Sequence, residues 1–120
     1  MNYDAFNARW LEAWTRQDVA VLLAFYDRDV MFRGPAVPGG ILGLEALRAY
    51  LEGQFASGPR LHYEHDEAWP MADGYCARWY ARIGQPDGAP RLRGLDLVVL
   101  KDDKIVLNEV YVHALPSVEA

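Results

Sequence analysis

A chain of 120 residues amounts to one domain, long enough to bury a core and too short for a second. Its formal charge of −5, with Lys and Arg scattered along it, excludes the basic patch that nucleic acid or an anionic membrane surface selects, and directs attention to a small apolar or neutral partner. Cys76 stands alone, no leader-like segment opens the chain and no apolar run approaches the roughly 18 residues of a membrane span, so a soluble cytoplasmic protein without disulfide, thiolate metal site or cofactor is expected.

Asn2 to Arg16 reads as a helix, because Phe6, Trp10, Ala13 and Trp14 recur at spacings of three and four, with Asn2 or Asp4 as its cap. Asp18 stands where a second, short helix wants its N-cap, and Val19, Leu22, Leu23 and Tyr26 give that helix its buried side. Asp29 to Arg33 alternates as a strand, with Val30, Phe32 and Gly34 on one face. The next stretch, GPAVPGGILG from Gly34 to Gly43, carries four Gly and two Pro in ten residues, which predicts no regular element but a mobile flap or an ordered loop lying over something. A third helix follows from Leu44 to about Ala56, with Leu44, Leu47, Leu51 and Phe55 as its stripe. Beyond Gly58-Pro59 every segment is extended: 60–71, 75–84, 91–100 and 104–114. Helices early and strands late argue for an α+β fold with the helices on one face of a mainly antiparallel sheet.

The last two strands form a hairpin around Lys101, Asp102 and Asp103. A three-residue loop there pairs Leu100 with Lys104 and sets Asp96 opposite Asn108. Gly94, Asp96, Val98, Val106, Asn108 and Val110 then share one face, and Leu95, Leu97, Val99, Ile105, Leu107, Glu109 and Tyr111 the other. A carboxylate and an amide on an otherwise apolar surface suggest the floor of a pocket. The opposite apolar face suggests a homodimer packed through the sheet.

The element order, together with DxxVLLAFYDRDVMFRGP, GLEALRAYL and RGLDLVVLKDDKIVLNEVY, resembles the nuclear-transport-factor-two-like superfamily over nearly the whole chain, in particular the SnoaL-like polyketide cyclases and the ketosteroid isomerases. The resemblance implies a cystatin-like roll: a cone-shaped, curved, mainly antiparallel sheet and three N-terminal helices enclosing an apolar pocket, in a chain that is commonly a homodimer. It also implies a range of activities, from proton transfer, cyclisation, dehydration and epoxide hydrolysis to plain binding or scaffolding. Of the ketosteroid isomerase residues only one is matched. The place of the proton-shuttling Asp is Gly34 and that of the helical Tyr is Trp10, while Asp96 in GLDLVV matches the Asp kept neutral to donate a hydrogen bond. The Asp, Arg, Asp relay of epoxide hydrolases has no match.

Asp96 therefore reads either as an acid, base or donor in a dry pocket, or as a structural carboxylate bonded to Asn108 or a nearby hydroxyl. His65 is the candidate second acid or base, with Tyr63 or Tyr80 behind it. Trp10, Trp14, Phe32, Phe55 and Trp69, with Asn108 and Val110, are the candidate ligand-binding residues, against the plainer reading of the aromatics as core. His62, Glu64 and Asp66 alternate onto one strand face, but a solvated surface explains them better than a metal site. Two functions remain open: a cyclase- or isomerase-type enzyme acting through Asp96, and a non-catalytic binder or protein-interaction domain of the same fold.

Overall fold

A computed structural model of the chain describes residues 1–116. Helix α1 (Tyr3–Arg16) begins where the Asn2 side chain accepts the Ala5 N–H at 3.0 Å, and it ends at Gln17, whose left-handed backbone (φ 57°) turns its N–H onto the Ala13 and Trp14 carbonyls. Asp18 caps α2 (Val19–Leu23) at once, through the Val21 N–H, so the two helices meet almost without a loop. Strand β1 (Tyr26–Gly34) follows and is longer than its alternating core suggested, with Tyr26, Val30, Phe32 and Gly34 all buried. After β2 (Val37–Leu42) come helix α3 (Leu44–Ser57) and strands β3 (Leu61–Met71), β4 (Gly74–Ile83), β5 (Leu92–Lys101) and β6 (Lys104–Ala114).

The strands form one curved sheet in the order β2-β1-β6-β5-β4-β3, antiparallel except for the parallel pair β1–β6, with β2 and β3 as open edges. The helices cover its inner face. Trp10 and Leu11 of α1, Leu22 of α2 and Leu47 and Leu51 of α3 are buried against Val30, Tyr75, Val98 and Ile105 of the sheet. This is the expected α+β roll. No helix among the described residues is long and apolar enough to cross a membrane.

Two local expectations are corrected. The Gly- and Pro-rich stretch is not an irregular loop throughout: its second half is edge strand β2, paired antiparallel with β1 through Phe32↔Ile41 and Gly34↔Val37. An edge strand needs pairing on one side only, so Pro38 is tolerated there, and a register break between Phe32 and Gly34 absorbs the mismatch.

The β5–β6 turn has two residues rather than three. Asp102 (φ 50°) and Asp103 (φ 63°) both adopt the left-handed conformation, the arrangement whose twist suits a two-residue hairpin, so Lys101 pairs with Lys104. A bulge then leaves Val106 without a partner, between the pairs Leu100↔Ile105 and Val99↔Leu107. The bulge turns Ile105 inward to full burial, in place of Val106, and sets Asp96 opposite Val110 and Val98 opposite Asn108. Because the net register change is even, Asp96 and Asn108 keep the inner face as diagonal neighbours.

Candidate functional site

Between the helices and the inner face of the sheet lies a cavity of about 300 Å³. Helix α1 sends Trp10 and Trp14 into its wall, α3 sends Tyr50, Gln54 and Phe55, and the strands add Phe32, Tyr63, Trp79, Asp96 and Val110. Trp14 is the hub of the aromatic wall. Its ring lies 6.3 Å from Trp10, 6.5 Å from Phe32, 5.8 Å from Phe55 and 6.2 Å from Tyr63, in tilted, stacked and edge-on contacts that favour such rings. Pro35 and Ala36, in the turn between β1 and β2, also reach the cavity, as expected of that stretch.

Among the described residues Asp96 is the one ionisable carboxylate in this wall, and its two oxygens are held by neutral donors. The Trp79 indole N–H donates to Oδ2 at 2.6 Å and the Asn108 amide to Oδ1 at 2.9 Å. The first bond depends on Gly94, which pairs with Trp79 across the β4–β5 ladder. A Cβ at position 94 would fall 2.1 Å from the indole, so only glycine lets the ring lie across β5 and reach the carboxylate. Behind Asn108 the bonding continues in one sense: Tyr26 Oη donates to Asn108 Oδ1 at 3.1 Å, and the Trp10 indole N–H donates to Tyr26 Oη at 3.2 Å. Every donor in this series from Trp10 onward points toward Asp96.

Burial pushes the Asp96 carboxyl up to about 7, against the weaker opposing pull of its bonds from Asn108 and Trp79. The phenols of Tyr26, Tyr63 and Tyr75 are pushed above their ordinary range, first by burial and then by the charge on Asp96. Each Asp96 oxygen spends one lone pair on its fixed donor and keeps another. The side chain can therefore gain or lose a proton near neutral pH while both donors stay in place.

Of the residues singled out from sequence, Trp10, Trp14, Phe32, Phe55, Asp96 and Val110 line the cavity, and Asn108 lies directly behind Asp96. His65 does not reach it. Its Nδ1 meets the Asn7 amide at 2.9 Å and its Nε2 the Asp4 carboxylate at 2.7 Å, because β3 presents that ring to the first half of α1. Trp69 is 38% exposed near the far end of β3, beneath the Arg78 guanidinium. Glu64 and Asp66, in the same alternating row as His62, are taken up by Arg82 and Arg78. Trp79 and Tyr26 complete the Asp96 cluster without having been assigned to it. The register of β4 against β5 crosses an irregular connection that counting from the β5–β6 turn does not span. A Gly in a strand that also carries an inward Asp was the available signal.

Residues 7–108 match the SnoaL-like domain. Among solved structures, the chain is similar to a SnoaL-like protein of unknown function from Burkholderia thailandensis, at 18% identity and a TM-score of 0.73, over 97% of each chain. It is similar to a cystatin-fold protein from Novosphingobium aromaticivorans, at 20% identity and a TM-score of 0.69, over 92% of this chain and 98% of that one. A steroid delta-isomerase from Pseudomonas aeruginosa matches at 24% identity and a TM-score of 0.65, over 94% of this chain and 81% of that one. At such identities these structures establish the fold, and no curated protein matches significantly. With the family match running from helix α1 into the last strand, the chain belongs to the SnoaL-like domain family of the nuclear-transport-factor-two-like fold.

Proposed function

We propose that the cavity binds a small apolar molecule carrying one or two rings, and that Asp96 acts on it as acid, base or hydrogen-bond donor. The observation that carries this is a buried carboxylate in the wall of a cavity lined by aromatic rings, held by two neutral donors, Trp79 within the wall and Asn108 behind it. A cavity of about 300 Å³ stands at the lower end of small-molecule sites, which suits a compact ring system better than a long chain. Protonated, Asp96 would donate to a ligand carbonyl or hydroxyl. Ionised, it would take a proton from the ligand and return it at another atom, a shift that needs no second reactant.

The non-catalytic alternative has an observation of its own. Proton transfer usually engages a second titratable group, and His65 is bonded elsewhere, which among the described residues leaves only the Tyr50 and Tyr63 hydroxyls in the wall that holds Asp96. One pair of variants separates the two readings. Asp96→Asn alone can set one amide against another, because the Asn108 amide already points at position 96. The exchange Asp96→Asn with Asn108→Asp keeps an amide-to-carboxylate bond at that place, now running from position 96 to position 108. Trp79 then donates to the amide oxygen at position 96, and Tyr26 to the carboxylate at position 108. A thermal-shift and Trp-fluorescence screen of ring compounds should find ligands for the parent, and the exchanged protein should still bind the neutral ones. If the parent converts a bound ring compound and the exchanged protein does not, Asp96 is catalytic; conversion by both removes it from the chemistry. A screen without any ligand would remove the cavity itself as the site.

The outer face of the sheet supports a second proposal, that the chain forms a homodimer through it. Leu95 and Tyr111 are 38% and 59% exposed on that face, beside the partly buried Leu97, Val99 and Leu107. Sedimentation at micromolar concentration should give a dimer that Leu95→Lys, Tyr111→Glu dissociates. A monomeric parent would end this proposal.

A further inference from the structure

The charge of the cavity says more about its ligand than its shape does. Among the described residues that line it there is no Lys, Arg or His, and Asp96 is the only one that ionises near neutral pH. Its two partners are an indole and an amide, so its negative charge meets hydrogen-bond donors but no counter-charge, and no ion pair among the described residues involves it. The cavity it lines is also walled by the rings of Trp14, Phe32, Tyr50, Phe55 and Tyr63, with Phe32 and Tyr50 5.4 Å apart and Tyr63 4.9 Å from Trp79. Aromatic faces carry partial negative charge and attract a desolvated cation, most of all an alkylated ammonium, whose hydration is weak.

Three classes of ligand meet this wall differently. An anion would face the carboxylate and the ring faces together, with no cation to receive it. A neutral ring gains burial and leaves Asp96 without a counter-charge. A ring-bearing cation gains the same burial, uses the π faces, and supplies the charge that the carboxylate lacks. We propose that the ligand is a ring-bearing amine in its ammonium form, or a quaternary ammonium, with the cation among these aromatic rings and Asp96 as its counter-ion. This rests on the reading of the cavity as a site for a ring-bearing molecule, and it adds a positive charge to the apolar body of that molecule.

The test compares benzyltrimethylammonium with neopentylbenzene, which has the same shape with carbon in place of nitrogen. Benzyltrimethylammonium does not titrate, so any pH dependence of its binding belongs to the protein. The groups near Asp96 are Tyr26 from β1, Tyr50 from α3, Tyr63 from β3, Tyr75 and Trp79 from β4 and Asn108 from β6, and none of these changes charge between pH 5 and 8. His65, outside the cavity, is controlled by His65→Gln.

At pH 8, titration by calorimetry should show the cation binding at least tenfold more tightly than its neutral counterpart. The advantage should shrink several-fold at pH 5, in the parent and in His65→Gln alike, and disappear in Asp96→Asn. If that variant does not fold, the pH profile of the parent decides by itself. Equal or tighter binding of neopentylbenzene at pH 8 overturns the proposal and leaves the cavity as a site for neutral rings. A parent that binds neither compound overturns both.

Discussion

Two hydrogen-bonded clusters tie helix α1 to the sheet, and they differ in where the charge sits. In the first, Trp10 reaches Tyr26, Tyr26 reaches Asn108, and Asn108 and Trp79 converge on Asp96 in the wall of the cavity. In the second, Tyr75 donates to Asn7 at 2.9 Å, Asn7 donates to His65, and the far side of the imidazole meets Asp4, which also accepts the Ala68 N–H at 3.1 Å. Asp4, Asn7 and Trp10 lie three residues apart on one face of α1, so a single helical stripe serves both. Each cluster is built on a fully buried asparagine and ends on a carboxylate. Asp4 ends its series at the surface, beside an imidazole and a backbone N–H; Asp96 ends its series in the interior with neutral donors alone. The arrangement around Asp4 is what a structural clamp needs. The one around Asp96 keeps a carboxylate poorly solvated, a cost to folding that makes sense when something else is to meet it.

The largest expected effect is the dependence of stability on pH, to which the two carboxylates contribute with opposite sign. Burial raises Asp96 from its ordinary value of 3.8 to about 7, so between these values the folded state binds the proton that the unfolded state has lost. That contribution is fully present below 3.8 and is lost as pH rises through about 7, on the order of a few kcal/mol. The bond from His65 lowers Asp4, whose contribution is present above 3.8 and lost as pH falls through its lowered folded value. Urea denaturation from pH 4 to 8 should therefore show a decline in the parent that Asp96→Asn removes. A decline of the same size in that variant would assign it to other groups.

Next in size is a matched pair, Asn108→Leu and Asn7→Leu. Both replace a fully buried amide that bridges two partners, so they differ mainly in whether one partner is an ion. Asn108→Leu strips a donor from the Asp96 carboxylate and an acceptor from Tyr26, a loss of roughly 3 kcal/mol at pH 8. Asn7→Leu takes an acceptor from Tyr75 and a partner from the His65 ring, at a loss of about 2 kcal/mol. At pH 5, with Asp96 protonated, the two losses should converge. Equal losses at pH 8 would show that the bond to Asp96 carries no charge-assisted strength.

Much of this fold was legible in the sequence because it rests on local signals. The apolar spacing of Phe6, Trp10 and Trp14 marked α1, the caps Asn2 and Asp18 marked two helix starts, and the Val- and Leu-rich runs marked the late strands. The inward aspect of Asp96 was legible as well, since alternation needs only parity. Its partners were less so. Asn108 was found although the turn length and the bulge both departed from the count, because the two departures preserved parity between them. Ile105, which the count placed on the outer face, lies inside because the bulge falls between it and Asn108. Trp79 joined through a register set by no local turn, and His65 left the site because helix α1, far away in sequence, supplied two partners for its ring. Strand β2 stayed hidden because its composition speaks for a loop, and only its place at a sheet edge makes that composition acceptable.

The smallest expected effect lies at the open end of the comparison. Asp4→Asn keeps an acceptor oxygen for the His65 N–H and for the Ala68 N–H, so it removes charge from the second cluster while leaving its bonds in place. A side chain this exposed is well screened, and the drop in melting temperature at pH 7 should be no more than about 3 °C. The sign of its pH dependence is the sharper observation. Protonated aspartic acid and asparagine are both neutral, so the difference between parent and variant should close as pH falls below 3.8 through the lowered folded value of Asp4. Asp96 is present in both proteins and cancels from the difference. A gap that widened on acidification, or a large loss at pH 7, would mean that the surface cluster depends on its carboxylate as the buried one does, and the contrast between clamp and site would fail.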